Sequence, residues 1–158
     1  MAPKLNSMRL LERHDIPYEV IEYPDTIKDA EAVAEAIGAP PHMVYKTLVV
    51  ERAGEKKLIL VMLACDRRLD LKRMATAAGV KKCSMAAHKD AERLTGLKVG
   101  GISTLALTHK TWNVYLDQPA TELGHLIISA GQRGMQIRVS TSGLMRVVGA
   151  KIVEVSAE

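Results

Sequence analysis

A chain of 158 residues with 47% apolar and 25% charged side chains is sized and composed for one ordinary soluble domain with a substantial core. It contains no Phe and one Trp, Trp112, so Leu, Ile, Val, Met and Ala must fill that core, and a wide aromatic platform for stacking several bases is not expected. The formal charge of +4 and pI near 9.1 suit a polyanionic partner without requiring one. The charge is uneven: residues 1–35 hold four basic and eight acidic side chains, residues 66–98 nine basic and four acidic. A solvated surface of mixed sign is the plainer account of that pattern, and a polyanion-binding patch is the other.

In chain order, Leu5, Met8 and Leu11 repeat at helical spacing and predict an amphipathic helix ending near His14. Residues 18–23 read as a strand bounded by Pro17 and Pro24. Asp29 is placed to cap a helix over 30–37 that Gly38 stops. Residues 44–50 and 58–65 flank a polar turn around Gly54, a hairpin whose apolar arms belong near the centre of a sheet. Asp70 caps a further helix that runs to Gly79, and a short helix covers 89–94. Strands follow at 113–117, 125–130, 135–140 and 151–156, with a short helix over 144–148. Without a regular βαβ period, this order predicts one α+β domain with a mixed or antiparallel sheet.

Cys65 and Cys83 lack CxxC spacing, and Cys65 ends the apolar run 58–65, where a buried reduced thiol is expected. That run is too short to span a bilayer, and Met1-Ala2-Pro3-Lys4 lacks the apolar core of a signal peptide, so a reduced cytoplasmic compartment is the simplest assignment. The histidines His14, His42, His88, His109 and His125 are scattered, with no HExxH and no Cys/His cluster, so no zinc site is expected. No P-loop, no GxGxxG fingerprint and no nucleophile elbow around Ser103 is present.

Two features remain. Lys46 interrupts an apolar strand, and an ammonium there must either emerge into solvent along its stem or meet an anion, such as a substrate phosphate or carboxylate. Gly100-Gly101 leaves backbone bare, either to make a turn or to bring amides to a developing oxyanion. Gly131-Gln132-Arg133-Gly134 needs no role beyond a tight turn.

Tyr45-Lys46-Thr47-Leu48-Val49-Val50, Leu69-Asp70-Leu71-Lys72, Val80-Lys81-Lys82, Thr95-Gly96 leading to Val99-Gly100-Gly101-Ile102-Ser103, and Ser129-Ala130-Gly131-Gln132-Arg133-Gly134 occur in this order. Each is weak alone. The ordered set, running from about Leu10 to Val155, closely resembles the YbaK family of aminoacyl-tRNA deacylases, relatives of the editing domain inserted in bacterial prolyl-tRNA synthetases. The resemblance implies that residues 1–158 form one domain, a mixed, mostly antiparallel β-barrel-like sheet surrounded by short helices, with a cleft for the aminoacylated 3′ end of tRNA. It implies no metal and no cofactor.

By that resemblance, Lys46 orients the terminal adenosine and its phosphate, and the amides of Gly100 and Gly101 face the ester carbonyl. Tyr23, Thr47, Ile102, Ser103, Ser129 and Gln136 fall where substrate is bound, and Arg67, Arg68, Lys72, Lys81 and Lys82 are the expected tRNA contacts. An aminoacyl ester is already activated, so positioning and an oxyanion site can supply much of the acceleration. The attacking group is then a water placed by the substrate's own hydroxyls, or, for a cysteinyl substrate, its own thiol, which releases a thiolactone. The expected partner is an aminoacylated tRNA, first tRNA(Pro) carrying Cys and next Ala, with a prolyl-tRNA synthetase as a transient associate and neither membrane nor DNA involved. The family pattern is broken at Thr104, where Pro is usual, at Asp29 and at Gln136, which leaves the reaction class in place and the amino acid open. Two other classes fit: a module that binds aminoacyl-tRNA or a synthetase without chemistry, and an enzyme acting on a small acyl ester.

Overall fold

The chain runs through α1 (Asn6–Arg13), β1 (Tyr18–Glu22), α2 (Ala30–Ile37), β2 (Tyr45–Arg52), β3 (Leu58–Ala64), β4 (Arg68–Leu69), α3 (Leu71–Ala78) and β5 (Cys83–Met85). It continues through α4 (His88–Thr95), β6 (Asn113–Asp117), β7 (His125–Ser129), β8 (Met135–Ser140), α5 (Thr141–Val148), β9 (Lys151–Val153) and β10 (Ser156–Ala157). This computed structural model describes residues 4–53 and 58–157. The turn expected around Gly54 lies outside the described residues, but its arms pair antiparallel, from Tyr45 opposite Ala64 to Glu51 opposite Leu58.

Local chemistry sets the helix ends. The Asp29 carboxylate accepts the Ala32 N–H at 3.1 Å, and Asp70 accepts those of Lys72 and Arg73 at 3.0 and 3.1 Å, caps of about 1 kcal/mol each. Both caps stand where the sequence predicts them.

The seven residues of β3 are all buried because the strand is central in a five-stranded sheet ordered β5-β2-β3-β6-β9 and covered on both faces. On one face Val50, Ile59 and Val61 pack against Met74 and Ala75 of α3. On the other, Tyr45, Met62 and Ala64 meet Leu126, Ile128 and Ile137 of a three-stranded sheet ordered β1-β8-β7. β3–β6 and β6–β9 pair parallel and the other ladders antiparallel, so the fold is α+β with mixed, mostly antiparallel sheets. Val44 bridges Ile127 in parallel and brings the two larger sheets edge to edge. The ladders do not close into a ring among the described residues, so barrel-like holds only loosely, as two sheets wrapped on a shared core.

Residues 151–156 are not the single strand expected. β9 stays beside β6, while β10 crosses to pair with β4. The cause is Asp117, whose buried carboxylate accepts the Val155 N–H at 3.0 Å and the Ser156 hydroxyl, drawing the chain out of the β6 ladder. β4 and β5 went unforeseen because two or three residues carry no alternation to read.

Candidate functional site

A cavity of about 510 Å³ opens between β2, the N-terminal ends of α2 and α4, the loop before Ile102, and the β7–β8 pair. Lys46, Thr47, Gly100, Ile102, Ser129 and Gln136, all expected from the sequence, line it. Ser129 and Gln136 arrive together because they are directly opposed in the β7–β8 register.

Lys46 is half-buried on β2, and its Nζ donates to the Arg67 carbonyl at 2.7 Å. An ammonium has three donors, so two remain for a ligand. Cys65 lines the same cavity, but its thiol donates to the Pro41 carbonyl at 3.2 Å. Burial, with the Asp66 charge acting the same way, pushes that thiol up to about 11, so it stays protonated and inert near neutrality, as expected of a buried thiol. The Tyr45 hydroxyl is buried without a hydrogen-bond partner among the described residues, and burial, reinforced by Asp117, raises its pKa.

The two glycines of the loop differ in placement, Gly100 lining the cavity and Gly101 lying outside it. At Gly100, φ is +91°, and a Cβ would stand 3.1 Å from the Lys28 Cα, so glycine is needed for conformation and close approach together. A Cβ on Gly101 would stand 2.9 Å from the Arg133 backbone nitrogen, and the Gly101 N–H already donates to the Lys98 carbonyl at 2.7 Å. Gly101 therefore packs against the 131–134 turn, and its N–H is engaged by the Lys98 carbonyl. Ser103 is fully buried and lies outside the cavity lining, and its hydroxyl accepts the Leu105 N–H at 3.2 Å as the cap of a 3-10 turn over Thr104–Ala106. Tyr23 stands behind the cavity wall, where its hydroxyl accepts Gln136 Nε2 at 3.4 Å. Gln136 itself is only 5% exposed, and its Oε1 has no partner among the described residues.

Of the expected tRNA contacts, Arg68, Lys72, Lys81 and Lys82 are exposed, and none of them lines the cavity. Arg67 differs: its Nε donates to Ser156 Oγ at 2.6 Å and lies 4.0 Å from Asp117 Oδ2. Lys28 carried no signal in the sequence, and Lys98 and Arg133 stood there only inside or beside glycine motifs with no role of their own, yet the three line an open groove of about 630 Å³ that also holds Asp25 and shares Lys28 and Arg133 with the cavity. Arg133 is steadied by the Val99 carbonyl at 2.6 Å and by Glu92 at 3.9 Å. The Val99 amide, followed by the Lys98 and Arg133 charges, holds the Glu92 carboxyl below its usual range. Among the described residues no three His, Cys, Asp or Glu side chains gather as metal ligands, and no helix is long and apolar enough to cross a membrane.

Residues 24–147 match the aminoacyl-tRNA editing domain family. The chain is 34% identical to EbsC of Enterococcus faecalis, a candidate Cys-tRNA(Pro)/Cys-tRNA(Cys) deacylase, over 98% of this chain and 94% of that one. It is 24% identical to the multifunctional Ser/Thr-tRNA deacylase ProXp-y of Escherichia coli K12, over 91% and 87% of the two chains. Its fold superposes on the crystal structure of a candidate trans-editing enzyme for prolyl-tRNA synthetase with a TM-score of 0.81 at 23% identity, covering 99% of this chain and 100% of that one. With most of its length inside the matched domain and a full-length relative above 30% identity, the chain belongs to the aminoacyl-tRNA editing domain family.

Proposed function

We propose that the protein is a cytoplasmic trans-editing deacylase that hydrolyses the ester joining a misattached small amino acid to the 3′ end of tRNA. Cys-tRNA(Pro) is the first candidate substrate, and tRNA charged with Ala, Ser or Thr the next. The observation that carries this reading is the cavity, which is lined by both Lys46, a cation with spare donors, and Gln136, whose buried Oε1 has no partner among the described residues. An aminoacyl ester offers both complements, a terminal phosphate for the lysine and an α-ammonium for the acceptor. The names of the relatives point to the same substrate class.

Lys46 then holds the nucleotide end and Gln136 the amino acid, with Thr47, Ile102 and Ser129 shaping the space between. The Gly100 amide takes the oxyanion role, since Gly100 lines the cavity and its N–H makes no hydrogen bond among the described residues. Water adds to the ester carbonyl, the oxyanion collapses, and the ribose oxygen leaves with a proton relayed from the attacking water through neighbouring hydroxyls. A cysteinyl thiol can replace the water, forming a C–S bond as the C–O bond breaks and passing its proton to the departing ribose oxygen. Arg68, Lys72, Lys81 and Lys82 contact the tRNA body, and a prolyl-tRNA synthetase is the candidate transient partner.

The test is a deacylation panel with tRNA(Pro) charged with Cys, Ala, Ser, Thr or Pro at substoichiometric protein. Multiple turnover on a noncognate charge with Pro spared supports the reading, and no turnover on any of the five sinks the enzyme. Reversing charge at Lys81 and Lys82 should raise KM on full-length tRNA and flatten its salt dependence, since fewer counterions are displaced. The same variants should leave a minimal aminoacyl-nucleotide unaffected.

A further inference from the structure

The carbonyl that holds the Lys46 ammonium belongs to Arg67, in the short loop between β3 and β4. That loop is fastened from behind by segment 155–157. Arg67 Nε donates to Ser156 Oγ at 2.6 Å, and Arg67 Nη2 reaches the Ser156 carbonyl at 3.5 Å. The Ser156 hydroxyl in turn donates to Asp117 Oδ2, while Asp117 Oδ1 accepts the Val155 N–H at 3.0 Å. Beside this cluster, Arg73 Nη1 donates to the Ser156 carbonyl at 3.2 Å, and the Asp70 N–H donates to that of Val155 at 2.7 Å.

Asp117 is 1% exposed. A carboxylate so buried is costly unless its lone pairs are filled and a counter-charge is near, and segment 155–156 fills them while Arg67 supplies the charge. The β4–β10 ladder alone could anchor the segment. The serine hydroxyl and the aspartate instead converge on one residue, the one whose backbone oxygen restrains the cavity lysine.

We propose that Asp117, Ser156 and Arg67 are positioning residues that hold the Lys46 ammonium at the cavity wall, which rests on the reading of Lys46 as a substrate-binding group. Lysine has a flexible four-carbon stem, and without this restraint its ammonium would spread over several rotamers. Misplacing it lowers the fraction of bound substrate poised to react.

The experiment uses the full chain and 3′-cysteinyl- and 3′-seryl-CCA trinucleotides, which are too short to involve contacts with a tRNA body. Ser156→Ala should lower kcat on the order of tenfold, the scale of coupling between contacting residues, and Ser156→Thr, which keeps the hydroxyl, should restore most of it. In a Lys46→Ala background, Ser156→Ala should cause no further loss. NMR relaxation of the Lys46 ε-methylene needs no substrate and should report an ordered arm in the wild type and a mobile one in Ser156→Ala. Should Ser156→Ala fail to fold, Arg67→Gln at a half-buried position carries the same expectations. An ordered Lys46 with wild-type kcat in the folded variant overturns the proposal, as do losses that add to those of Lys46→Ala. Absence of wild-type turnover on every charged substrate overturns the deacylase reading instead, and the relaxation comparison still decides the positioning.

Discussion

The two walls of the cavity follow opposite plans. On the wall built by β2 and β8, polar groups keep bonding capacity: Lys46 has used one donor, and Gln136 Oε1 none of its acceptor strength. On the other wall, lined by Val99, Gly100 and Ile102, the Gly100 N–H is left unbonded among the described residues while the polar groups of the loop behind it are consumed internally. Gly101 N–H is bound to Lys98, the Ser103 hydroxyl to Leu105 N–H, and the Thr104 hydroxyl to Met62 sulfur at 3.4 Å. A buried irregular loop must satisfy its own backbone and hydroxyls, so little is left for a ligand. The motif with the most familiar appearance thus keeps one amide open toward the cavity, and most of the open bonding capacity lies on the regular strands.

That contrast can be broken at four positions. Lys46→Ala should lower kcat/KM roughly a hundredfold, the worth of a charged hydrogen bond to a bound anion, with thermal stability unchanged. Lys46→Arg should recover little, because a planar fork differs from an ammonium in reach and shape. Near wild-type turnover in Lys46→Ala would reduce this wall to scaffold. Gln136→Met keeps length but removes the acceptor, and should cost about tenfold in kcat/KM, expressed mainly in KM because the ammonium is bound before and during reaction. Unchanged kinetics there would mean the orphaned oxygen is no binding group.

On the opposite wall the effects should appear in stability. Gly101→Val drives a Cβ against backbone at 2.9 Å from Arg133 N and 3.1 Å from Gln132 C, so it should lose about 1–3 kcal/mol, with activity falling in step. A stable but inactive Gly101→Val would give Gly101 itself a part in the reaction. Ser103→Ala removes one cap and should cost about 1 kcal/mol in thermal unfolding while leaving kcat and KM intact below the transition. Loss of turnover in a folded Ser103→Ala would point to a nucleophilic serine.

Much of the framework was legible. Asp29, Asp70, Gly38 and Gly79 delimit α2 and α3 as their types predict, because capping is a local transaction between a side chain and the next turn. The β2–β3 pairing was equally plain from two apolar runs. Segment 151–156 was not, since its break depends on a carboxylate 38 residues earlier in the chain taking the Val155 N–H. The site divides the same way. Lys46 stands out as a charge in an apolar strand, whereas Lys28, Lys98 and Arg133 look unremarkable until folding gathers them along one groove.

The amino-acid sequence by itself determined the helices and strands with strong local signals, the α+β class, and, through an ordered set of motifs, the family. Those properties follow from interactions between near neighbours or from order along the chain. Only the tertiary structure decided which motif residues face the cavity, because a glycine amide or serine hydroxyl is free or consumed according to partners brought by distant segments. It alone set the partner of the Lys46 ammonium, a carbonyl 21 residues away held by a serine 89 residues beyond that.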